Sequence, residues 1–172
     1  PYVDNPDNSP SRWVAGLLPS LLLIGGTTFA ARKTHKPTLA WLALLAALAT
    51  ATFILVRIPG TTAYKVFLSH WPLVFAAIAG LCILLAFRCL RSIAFRSFFE
   101  PFYVTGILLL PMIAISGTSV LGSRAIPPWV DSATFLALAV AYLLAVITVG
   151  PRRLAVLAAV CAAAGVLTLR VF

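Results

Sequence analysis

Apolar residues in this chain run in long blocks, broken by short polar interruptions rather than alternating with polar positions. Six blocks follow one another: Trp13 to Ala31, Thr38 to Val56, Trp71 to Phe87, Pro101 to Gly122, Ser132 to Gly150, and Leu154 to Phe172. Each is close to the roughly 20 residues a helix needs to cross a hydrocarbon core. Strands of a membrane barrel would be about half as long and would alternate in polarity. The pattern therefore predicts an all-α integral membrane protein, a bundle of about six transmembrane helices with short loops. Residues 1–12 form a polar extramembrane lead-in, and 13–172 a single six-helix domain.

Composition strengthens this reading. Of 172 residues, 62% are hydrophobic and 10% charged, against roughly 25% charged in soluble domains. The net charge of +9 would suggest nucleic acid in a soluble protein, but the basic residues cluster between apolar blocks and no binding motif accompanies them. Nucleic acid is excluded as a partner, and the bilayer takes its place.

Charge also orients the chain. Arg32, Lys33, Lys36, Arg88, Arg91, Arg96, Arg152 and Arg153 fall in the odd-numbered loops. Arg12, Arg57, Lys65, Arg124 and Arg170 fall on the other side, with Asp4, Asp7 and Asp131. Basic loops stay on the inner side, which predicts both termini outside. Trp13, Trp71 and Trp129 then anchor the outer interface and Trp41 the inner one. The chain begins at Pro1 and its only methionine is Met112; a removed signal peptide, or a longer polypeptide of which this is a portion, is expected. A multi-pass helical protein of this kind is expected in a bacterial or organellar inner membrane.

Ionisable groups at bilayer depth mark most membrane catalysts and pumps. None of Asp4, Asp7, Glu100 and Asp131 is read as mid-span, and no paired carboxylates, H-E-x-x-H helix or phosphate loop occurs. Cys82, Cys89 and Cys161 form no C-x-x-C pair and read as small apolar residues. Helix packing is signalled by alanines at four-residue spacing: Ala43, Ala47 and Ala51; Ala137, Ala141 and Ala145; Ala155, Ala159 and Ala163. Such spacing lines one helix face with small side chains and lets backbones approach. The function these features predict is a non-catalytic subunit packed within a larger membrane complex of energy-transducing, photosynthetic or transport type. Its partners would be other membrane subunits.

Two further readings rest on particular residues. Pro19 with Gly25-Gly26, and Pro111 with Ser116-Gly117, interrupt the first and fourth blocks. Interrupted helices expose backbone groups that can hold a solute, as in permeases, or they are kinks whose freed carbonyls neighbours satisfy. His70 stands at the mouth of the third block, before Pro72 read as a proline at a helix start, and is a candidate haem or chlorophyll ligand. The composition names no cofactor. The stretch Phe67-Leu68-Ser69-His70-Trp71-Pro72-Leu73 resembles the Y-L-x-H-x-P stretch of the membrane acyltransferases that acetylate sugars, and Phe98-Phe99-Glu100-Pro101 resembles their later E-x-P turn. That resemblance implies an acyl-transfer enzyme using His70. From the third block onward the chain also resembles small bacterial four-helix membrane domains that open with an H-x-P-L helix. Finally, Arg88, Arg91 and Arg96 with Phe95, Phe98 and Phe99 form a basic, aromatic connector suited to an interfacial helix against anionic lipid headgroups.

Overall fold

A computed structural model describes residues 10–56, 62–118, 127–150 and 152–170. Nearly all of these residues are helical, and no strand occurs among them. In chain order the elements are α1 (Pro10–Thr34), α2 (Pro37–Val56) and α3 (Thr62–Arg91), then a 3-10 helix (Ile93–Phe98). A continuous rod follows, made of α4 (Phe99–Val104), a π-turn (Thr105–Leu109) and α5 (Leu110–Ser116); α6 (Pro128–Val149) and α7 (Arg153–Arg170) complete the chain.

Among the described residues, three helical stretches are long and apolar enough to cross a membrane: Phe67–Arg91, Ile93–Ser116 and Trp129–Val149, of 25, 24 and 21 residues. Pro37–Ala51 and Arg153–Leu169 are shorter apolar helices. Large apolar side chains project outward throughout, with Met112 69% and Ile147 78% exposed. An aqueous surface carries few contiguous patches of that kind, whereas lipid tails solvate them without cost.

The helices after residue 62 pack as a four-layer bundle of alternating direction. The α4–α5 rod runs antiparallel to α3: Gly106 lies against Ala79 and Ile83, and Gly117 against Trp71 and Pro72. α6 is parallel to α3, because His70 meets Trp129 and Gly80 faces Ala141. α7 returns antiparallel to α6, with Ser132 bonded to Thr168 at 2.9 Å and Gly165 against Leu136. The core of this bundle is made of small residues and a few large ones, among them Ala76, Ala79, Ile83, Leu110, Leu138 and Ala145. Small side chains permit the short interaxial distances on which dispersion, the main attraction between helices in lipid, depends.

The α1–α2 hairpin joins this bundle at one end. Its two helices are linked by His35 and Lys36, and His35 takes a left-handed φ of 53° that reverses the chain within two residues. Ala31, Ala40 and Ala43 pack there against Cys89 and Phe98, and Ser97 Oγ donates to the Ala31 carbonyl at 3.3 Å.

Element boundaries differ instructively from the apolar blocks. α3 begins at Thr62, ten residues before Pro72, so Pro72 lies inside the helix and not at its start. The preceding Thr-Ala-Tyr-Lys turn is polar enough to hide from a hydropathy reading, yet has no helix breaker. α6 begins at Pro128, so Asp131 sits in its first turn and is fully buried. A proline at the first helical position and a carboxylate near the positive helix terminus both favour that earlier start.

Candidate functional site

Three places along the bundle carry polar chemistry. At one end, α3 presents His70 half-buried, with Nδ1 2.7 Å from Ser69 Oγ and its ring 5.1 Å from the Trp129 ring. Trp71 packs edge-on to Phe75 and fills the space beside Gly117; a side chain on Gly117 would collide with the indole. Trp129 is exposed at this same end. Asp131 lies one turn along α6 on the face that continues through Leu138 and Tyr142. Among the described residues no group of three His, Cys, Asp or Glu could hold a metal ion.

The second place lies halfway along the rod. An α-helical carbonyl accepts from the N–H four residues on, and for Ile107 that residue is Pro111, which has no N–H. The chain widens into a π-turn, and the Leu110 N–H bonds back to Thr105. Tyr142 Oη of α6 then donates to the Ile107 carbonyl at 3.1 Å. The Pro111 interruption is thus a break whose freed acceptor a neighbouring helix satisfies. Beside it Thr105 is fully buried, and its Oγ1 has no hydrogen-bond partner among the described residues. Pro19, by contrast, is exposed within an unbroken α1, and Gly25 and Gly26 have nothing within 4 Å of where a side chain would stand.

The third place is the basic end. There Arg32 and Lys33 of α1, Arg88 and Arg91 of α3 and Arg96 of the 3-10 helix converge. Three open clefts separate them. One, of about 840 Å³, is lined by Leu85, Phe87, Arg88, Cys89, Arg91, Ser92, Phe95 and Phe102. The other two meet at Ile93, which stands 86% exposed between them, and His35 lines both. Aromatic rings hold the cations in place: the Arg91 guanidinium lies 4.4 Å over Phe87, Arg32 5.2 Å over Phe95 and Lys33 5.3 Å over Phe29. Such stacking fixes a guanidinium plane while leaving its edge N–H groups available. The connector with Phe95, Phe98 and Phe99 folds as the 3-10 helix running into α4, with Phe98 buried against the hairpin.

His70 and Glu100-Pro101, the two acyltransferase-like elements, stand at opposite ends of α3. His70 is at the Trp129 end, and Glu100 lines a cleft with His35 and Arg96. The alanine series fall in different surroundings. Ala141 and Ala145 are buried and Ala137 half-buried; Ala43 is buried, Ala47 half-buried and Ala51 exposed; Ala155, Ala159 and Ala163 are all exposed. α7 meets α6 through Ala158, Cys161, Ala162 and Gly165 instead.

Sequence reasoning passed over Tyr142 and Thr105. A hydroxyl inside an apolar block was a signal for each, since a buried tyrosine O–H finds a partner. No protein-family profile, curated protein or solved structure matches the chain.

Proposed function

We propose that this chain is a non-catalytic, multi-pass subunit of a larger membrane assembly. In this reading six helices span the bilayer, with the basic end inside and both termini outside. The observation that carries the proposal is the alanine ridge of α7. Ala155, Ala159 and Ala163 are exposed, flanked by exposed Val156, Val160 and Leu167. Small-residue ridges in lipid bring helix backbones together, and among the described residues no helix covers this one. Ala51 and the exposed leucines of α1 and α2 extend the same character to the hairpin. The polar groups at mid-depth support the reading as well: Tyr142 is engaged with the backbone, and no carboxylate lies near it along the described part of α6.

Purification in mild detergent followed by native mass measurement tests this. A stable hetero-complex is the expected result, weakened when Ala159 is replaced by Leu. A lone monomer or homodimer as the stable species refutes it.

A further inference from the structure

We propose that the cleft between Arg88, Arg91, Phe95, Leu85 and Phe102 holds one anionic phospholipid. Its phosphate lies between the two guanidiniums, and one acyl chain runs down over Leu85 and Phe102. Arg88 and Arg91 are three residues apart near the end of α3, hence on one helix face. Both are exposed, and among the described residues neither is paired with a carboxylate. The Arg91 guanidinium rests 4.4 Å over Phe87, a contact that restrains it before anything binds. Ser92 adds a hydroxyl to the lining, and Arg32 lies over the Phe95 ring.

The lining joins charged and apolar side chains. Leu85 lies six residues before Arg91, about 9 Å further along the helix, and Phe102 closes the same cleft from α4. Five of its eight lining residues are apolar, and its volume of about 840 Å³ falls in the range of small-molecule sites, about 300–1,000 Å³. A free phosphate would use the arginines and leave the apolar lining without a role. An amphipathic anion uses both. The cleft also lies where the apolar helices give way to charge, the level at which headgroup phosphates meet a membrane protein.

The test uses the full chain in mild detergent, with native mass spectrometry after adding phosphatidylglycerol, phosphatidylcholine or inorganic phosphate at equal concentrations. Phosphatidylglycerol should bind roughly tenfold or more tightly than phosphatidylcholine, and inorganic phosphate weakly. The double variant Arg88→Gln/Arg91→Gln should lose that preference, while Arg152→Gln/Arg153→Gln, with equal loss of charge, should keep it within about twofold. In the unaltered protein, phosphatidylglycerol carrying a photoreactive acyl chain should label the segments around Leu85 and Phe102, a readout independent of how the variants fold. Equal binding of the two lipids, equal losses in the two double variants, phosphate binding as tight as lipid, or labelling elsewhere would each overturn the proposal.

Discussion

The α3–α7 bundle and the α1–α2 hairpin are built from similarly apolar sequence, yet they are held together in different ways. The glycines show the contrast best. A side chain on Gly106 would meet the Ala79 carbonyl and Ile83 at 2.9 Å, whereas one on Gly25 or Gly26 would meet nothing within 4 Å. The bundle is closed by fitted surfaces along its length. The hairpin is fastened at its turn, where Ala31, Ala40 and Ala43 meet Phe98 and Cys89. Apolarity alone does not join helices in lipid, which is as apolar as leucine; fitted surfaces do.

Four substitutions probe that contrast, in decreasing order of expected effect. Phe98→Ala removes the largest buried side chain of the fastening and should cost about 3 kcal/mol or more. Hydrogen exchange should then rise across α1 and α2 while α3 and α6 stay protected; a uniform rise would mean the two parts are one cooperative unit. Gly106→Ala drives a methyl into the α3 backbone and should cost about 1–3 kcal/mol, read as a lowered melting temperature in detergent. Tyr142→Phe should cost about 1 kcal/mol, the worth of one buried hydrogen bond. That cost should shrink in a Pro111→Ala background, where residue 111 regains an N–H for the Ile107 carbonyl; a cycle of the four proteins measures the difference. Gly25→Ala should be neutral or stabilising by up to about 1 kcal/mol, since alanine loses less backbone entropy in a helix. A clear loss there would show that the hairpin is packed as closely as the bundle.

Much of the helical layout was legible because block length and polarity are local properties. The second block, Thr38 to Val56, falls within one residue of α2, and the last within two of α7. The clustering of Arg88, Arg91 and Arg96 with phenylalanines could also be read directly. Facing relations could not. α7 holds two small-residue series at four-residue spacing, and only α6 decides that Ala158, Cys161, Ala162 and Gly165 turn inward and Ala155, Ala159 and Ala163 outward. The hydropathy pattern leaves Asp131 outside the fifth block, because its charge precedes the apolar run, whereas its helix starts at Pro128. The partner of the Ile107 carbonyl lies 35 residues further along the chain, beyond any local pattern.

That last contact bears on how the protein is made. Before α6 is in place, the Ile107 carbonyl lacks both the Tyr142 hydroxyl and the N–H that any residue but proline would supply at position 111. Until then the rod can pack on α3 but is one hydrogen bond short at its π-turn. Synthesis order thus bears on the fold: the contact that completes the rod comes from a helix made after it. A chain cut short before Pro128 would lack that contact altogether.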